Sequence, residues 1–113
     1  MPSADFTPLE AFAALDLRVA EILEVREFPA ARKPAFQLVL DVGEVGTLQT
    51  SAQITRYDPA DLVGRKVITA VNLGTRRIAG FESQCLVLAA LDDGNQPHLL
   101  SVDPGARPGD RVA

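Results

Sequence analysis

Few residues in this 113-residue chain have the chemistry to make or break bonds. A nucleophilic cysteine needs a cation or a helix start beside it to lower its pKa. Cys85 sits instead in Ser83-Gln84-Cys85-Leu86-Val87-Leu88, an apolar run with no acid or base adjacent, and reads as a structural thiol. His98, the single histidine, lies in Gln96-Pro97-His98-Leu99-Leu100 and reads as a strand residue near a turn. Only the fold can say whether the two meet. Asp92-Asp93 precedes Gly94-Asn95 and starts a turn. There is no phosphate-cradling glycine loop and no paired-carboxylate motif. One cysteine and one histidine leave no cysteine-built zinc site. The expectation is a chain with no catalytic residue, no metal and no cofactor, hence not an enzyme.

The chemistry of binding is better represented. Ser51-Ala52-Gln53-Ile54 and Arg76-Arg77-Ile78-Ala79-Gly80-Phe81-Glu82-Ser83-Gln84 set hydroxyls and amides beside arginines. Polar uncharged residues on a strand cost stability unless exposed or paired. Beside arginine they can also clamp phosphates and read unstacked bases. The plain alternative is an outward-facing polar strand.

Charge is segregated along the chain. The total is −4, which argues against a polyanion as partner. Yet residues 28–81 carry seven cations (Arg32, Lys33, Arg56, Arg65, Lys66, Arg76, Arg77) against four acids, a local +3. Residues 1–27 sum to −4 and residues 82–113 to −3. Exposed charges more than about 10 Å apart are largely screened at 0.1 M salt, so a local basic face can act despite the total. A solvated surface is the alternative here too.

The elements that must position these residues follow from pattern. Thr7-Pro8-Leu9-Glu10 is a capping box with proline at the first helical position, predicting a helix from Pro8 to Leu15 with Leu9, Phe12 and Leu15 as its apolar face. Leu17–Phe28 is apolar on both parities in part, as in a curved strand whose buried face switches at a bend. Pro29–Pro34 is a loop. Ala35–Val42 alternates cleanly, with Phe36, Leu38, Leu40 and Val42 inward. Gly43–Gly46 reads as a hairpin turn and Thr47–Ile54 as a polar strand. Thr55–Gly64 holds a turn or one helical turn. Lys66–Leu73, Gln84–Leu91 and the short His98–Val102 complete the strands. Short strands, one short helix and no βαβ alternation predict an all-β barrel or sandwich.

The length predicts one domain over residues 1–113, burying roughly 65% of the unfolded surface. No stretch reaches the roughly 18 apolar residues of a membrane span. Met1-Pro2-Ser3-Ala4-Asp5 lacks the basic start of an export signal, so a cytoplasmic protein without membrane insertion is expected.

Several blocks together resemble a known family, the tRNA-binding domains appended to some methionyl-tRNA synthetases and found in related free-standing proteins. They are Leu15-Asp16-Leu17-Arg18-Val19-Ala20-Glu21-Ile22, Leu62-Val63-Gly64-Arg65-Lys66-Val67, Asn72-Leu73, Arg76 to Gln84, and Leu88-Ala89-Ala90. Glu27-Phe28-Pro29-Ala30-Ala31-Arg32 with Pro34-Ala35, Ser51-Ala52-Gln53-Ile54-Thr55 and Arg76–Phe81 resemble its CsaA-like, secretion-related chaperone branch. The resemblance covers residues 6–112. Synthetase-type members carry a His-Pro-Asp-Ala-Asp stretch where this chain has Phe28–Arg32, and CsaA-like members tend to show prolines where it has Gly74-Thr75.

The resemblance implies an OB-fold, a five-stranded Greek-key barrel with a short N-terminal helix and terminal extensions. It implies a homodimer joined through that helix and the C-terminal segment. It also implies two kinds of partner, tRNA and unfolded or presecretory polypeptides. Carried over by position, the RNA-facing residues are Lys33, Ser51, Gln53, Arg76, Arg77 and Ser83. Arg56 and Lys66 join them as phosphate contacts on charge alone. Phe28, Phe36, Ile78 and Phe81 are the expected peptide contacts. With five phenylalanines, one tyrosine and no tryptophan, an extensive base-stacking platform is not expected.

Overall fold

The computed structural model describes residues 6–113; the opening Met1–Asp5, read above as no export signal, lies outside them. Helix α1 (Pro8–Ala14) begins where the capping box predicts. The Thr7 hydroxyl accepts from the Glu10 amide at 3.1 Å, and the Glu10 carboxylate accepts from the Thr7 amide at 3.0 Å. The first of these bonds would hold only if Thr7 were extended, and it is. No α1 residue is buried: Leu9 is 78% and Phe12 50% exposed. Asn72 ends the helix. Its Nδ2 donates to the Ala14 carbonyl at 2.8 Å and its Oδ1 accepts from the Asp16 amide at 2.9 Å.

The long strand β1 (Leu17–Glu27) is the spine of the molecule. Its second half pairs with β2 (Phe36–Asp41), which pairs in turn with β3 (Thr47–Ala52). Its first half pairs with β4 (Lys66–Ala70). The expected bend is a β-bulge: the register with β2 shifts between Ile22 and Glu24, leaving Leu23 42% exposed. The buried face switches as well. Leu17 and Val19 are buried outside the main cluster, whereas Ala20 and Ile22 join it. That cluster runs through Leu38, Leu40, Leu62 and Val67, all fully buried, and confirms the alternation predicted for β2.

Helix α2 (Pro59–Leu62) is the single helical turn anticipated, with the Asp58 carboxylate accepting from the Ala60 amide at 2.9 Å. After β4 come β5 (Arg76–Ile78), β6 (Phe81–Ser83) and β7 (Leu86–Val87). β7 pairs with β4 and also touches β3, so the order β3-β2-β1-β4-β7 nearly closes on itself. This is the five-stranded barrel of the OB-fold. Side chains finish the closure. The Gln49 amide donates to Gln84 Oε1 at 2.9 Å, and the Gln84 amide donates to the Gln49 carbonyl at 2.8 Å.

Three strand expectations need correction. Gln84–Leu91 is not one strand: β7 ends at Val87, and β8 (Ala89–Leu91) forms a separate hairpin with β9 (Pro97–Leu99). An unbroken apolar run cannot reveal such a break, because both faces look alike. Arg76–Ser83, unassigned from the sequence, is a hairpin turned by Ala79 (φ 47°) and Gly80 (φ 82°). Two left-handed residues make the tight turn favoured between twisted strands, and alanine hides the signal. Finally β10 (Arg111–Val112) returns to pair with Leu17 and Arg18 of β1. Among the described residues no helix is long and apolar enough to cross a membrane.

Candidate binding groove

The β5–β6 hairpin stands beside β3, fixed by a small buried hydroxyl network. Ser83 Oγ lies 3.0 Å from Thr50 Oγ1 and accepts from the Ser51 amide at 3.0 Å. Ser83 is also the register partner of Arg76. Anchoring Ser83 therefore aims Arg76 relative to Ser51. At the hairpin's far end the Phe81 ring packs on Phe28, centroids 5.4 Å apart and 58° tilted, which ties the turn to the end of β1.

Between the hairpin, β3 and the Pro29–Pro34 loop lies an open groove of ≈1150 Å³. Seven of the twelve residues nominated from the sequence line it: Lys33, Ser51, Gln53, Arg76, Arg77, Ile78 and Ser83. A second cleft of ≈840 Å³ contains Phe28 and Phe36 and shares Ala31, Arg32 and Ala35 with the groove. The proline-bounded loop and the arginine hairpin thus border two adjoining hollows.

The other nominated residues are differently placed. Phe36 belongs to the core, and Phe28 is 7% exposed, so each offers a hollow little more than a ring edge. Phe81 is half-buried against Phe28. Arg56 lies over the Tyr57 ring at 4.9 Å and donates to the Pro97 carbonyl at 3.1 Å. Lys66 is occupied elsewhere: its Nζ donates to the carbonyls of Pro104 at 2.9 Å and Ala106 at 2.6 Å. Ser83 lines the groove, but its hydroxyl is engaged internally.

Four cations line the groove (Arg32, Lys33, Arg76, Arg77) and no carboxylate does. Of these four, only Arg77 has an acid within ion-pair distance among the described residues, Glu82 at 3.9 Å, with both side chains more than half exposed. Such a pair is worth at most about 1 kcal/mol and releases easily. Two kinds of residue escaped sequence reasoning. Arg32 borders both hollows, and its place in the basic segment was the available signal. Leu73, Leu86 and Leu91 also line the groove while 52%, 49% and 65% exposed. A leucine in an apolar run reads as core, so no local signal could have found them.

The thiol and the histidine stay apart in role. Cys85 is buried, and burial pushes its thiol pKa up, opposed by bonds from Thr69 and Thr50. That is the reverse of nucleophile activation. His98 Nε2 instead sits 3.0 Å from Asp92 Oδ2 on the β8–β9 hairpin, and Asp92 also caps the turn amides of Gly94 and Gln96. Among the described residues no cluster of His, Cys, Asp and Glu could hold a metal ion.

The fold is thus an OB-type barrel carrying a basic groove that no carboxylate lines. The chain belongs to the family described as "Putative tRNA binding domain", whose model matches residues 17–111. It is 38% identical over 111 residues to the methionine–tRNA ligase of Nitrosomonas eutropha and 42% identical over 108 residues to that of Acidithiobacillus ferrooxidans. These matches take in 98% and 95% of this chain but only 16% of each enzyme, so the chain corresponds to an appended part of them. The solved CsaA chaperone of Picrophilus torridus is 38% identical with a TM-score of 0.88, covering 96% of this chain and 100% of that one. CsaA from Bacillus anthracis superposes equally well, at 38% identity and a TM-score of 0.88, covering 96% and 99%.

Proposed function

We propose that this chain is a CsaA-type chaperone that holds unfolded or presecretory polypeptides, binds tRNA and works as a homodimer in the cytoplasm. The observation that carries the reading is the groove: four cations with no acid, continuous with exposed aliphatic side chains. The cations suit phosphates and carboxylates. The leucines suit the apolar side chains that an unfolded chain exposes. Homodimerisation is supported by Phe6, Leu9, Phe12 and Leu15 around α1, which are 57%, 78%, 50% and 37% exposed. A second copy is the partner the resemblance implies for that face.

A dedicated tRNA-binding module acting in trans is the second reading, favoured by the family description and by Arg32, Lys33 and Arg76, which have no acid partner among the described residues. One set of measurements separates them. Under the first reading purified protein suppresses aggregation of an unfolded client and scatters light as a particle of twice the chain mass. Failure of suppression leaves only the second. Binding of tRNA should weaken steeply with salt, and Arg76→Ala should lower the log–log slope by about 0.7–0.9. The absence of any tRNA binding at low salt would remove the second reading and strip tRNA from the first, leaving polypeptide holding alone.

A further inference from the structure

Resting on the polypeptide-holding reading, we infer that the groove selects extended polypeptides in which acidic residues are interleaved with leucine-like ones. The groove's cations come from two elements: Arg32 and Lys33 from the Pro29–Pro34 loop, Arg76 and Arg77 from β5. Its exposed aliphatic residues come from three others: Leu73 beyond β4, Leu86 on β7 and Leu91 on β8. Both sets border one hollow, and no carboxylate lies among them. A basic polypeptide entering it would meet four like charges and no acid. An acidic one finds complementary charge at each step, and its apolar side chains find leucine.

The lining also decides between polypeptide and RNA as the ligand the leucines serve. Bases bind through stacking on aromatic faces, and the groove is lined by no phenylalanine, tyrosine or tryptophan. Leucine offers a base neither a π-face nor a hydrogen bond. Half-exposed leucines are covered best by the aliphatic or aromatic side chains of another chain, which bury more apolar surface than a polar-edged base does. The two sets of residues therefore divide the work: the cations serve any polyanion, the leucines serve polypeptide best. An extended chain points successive side chains to opposite sides, so one segment can address both sets at once.

The test uses the whole chain and three labelled peptides of equal length and leucine content, carrying Glu, Gln or Lys at the interleaved positions. Anisotropy at 0.1 M salt should rank Glu above Gln above Lys. A few exposed ion pairs together separate Glu from Gln by about tenfold. The gap should narrow as salt rises. Leu86→Ser with Leu91→Ser should weaken the Glu peptide by about tenfold, more than it weakens tRNA. Both positions are exposed, and unchanged melting confirms the fold. Arg76→Ala with Arg77→Ala should shrink the Glu-over-Lys preference, with Arg32 and Lys33 keeping the remainder. Equal or tighter binding of the Lys peptide overturns the selectivity while leaving the holding function intact. Binding of no peptide of any charge overturns that function itself. Loss of tRNA binding in the leucine variant would assign the leucines to RNA and overturn the inference by a different route.

Discussion

Arginine and lysine do opposite work in two parts of this molecule. Around the C-terminal segment they are consumed. Arg18, whose side chain is 16% exposed, holds Asp16 at 2.6 Å, Glu44 at 3.4 Å and the Gly109 carbonyl at 3.0 Å. Lys66 clasps the Pro104 and Ala106 carbonyls, and Gly109 donates to the Val19 carbonyl at 2.7 Å. Around the groove the same residue types are unspent: Arg32, Lys33 and Arg76 have no acid partner among the described residues. Residue type does not separate the two regions. Internal satisfaction does, because a cation already bonded within the fold can take another partner only by giving those bonds up.

The hardest way to break the clasp is at Gly43, which has φ +61° and packs directly on Pro108. A Cβ there would run into the Pro108 carbonyl in a backbone conformation side chains rarely adopt. Gly43→Ala should cost about 3 kcal/mol from overpacking and backbone strain together. At roughly 4 °C per kcal/mol that is a fall in melting temperature of about 10 °C or more. Below the transition, tRNA affinity should match the parent; a parallel loss would show that the two regions are not independent. Arg18→Ala should be milder, a smaller drop in melting temperature and in the urea midpoint than Gly43→Ala gives. Arg18→Lys should recover only part, since one ammonium cannot replace a fork of donors.

Lys66 sharpens the comparison most. Lys66→Ala should cost about 1 kcal/mol of stability and leave the salt slope of tRNA binding unchanged. If the slope falls as it should for Arg76→Ala, Lys66 belongs with the groove after all. The smallest effect is on pH. Arg18 holds the Asp16 carboxyl below its ordinary pKa, chiefly by hydrogen bonding. A depressed folded pKa stabilises above the unfolded value and loses that contribution as pH falls through the folded one. The melting gap between the parent and Asp16→Asn should thus be full at neutral pH and close only on acidification below the usual carboxylate range.

How much was legible depended on whether the signal was local. The capping box, the alternation in Phe36–Val42 and the bend in Leu17–Phe28 each arise within a few residues, and each was read correctly. The β5–β6 hairpin was missed because Ala79 occupies a left-handed position that normally announces itself as glycine or asparagine. β10 was missed because its two residues pair with β1 across nearly the whole chain. In the candidate site, Ser51, Gln53, Arg76 and Arg77, nominated from the sequence, all line the one groove. Residue types could not show that the Ser83 hydroxyl is turned inward to Thr50, or that Phe36 lies in the core.

By itself the sequence determined the all-β class with its short helices, the segregation of charge and the family. These depend on periodicity, composition and motif, all properties of neighbours along the chain. Only the tertiary structure decided which cations are free, which leucines are exposed and that both kinds border one groove. Those are properties of neighbours in space, and hydrogen bonds such as Lys66 to Ala106 join residues that local chemistry never relates.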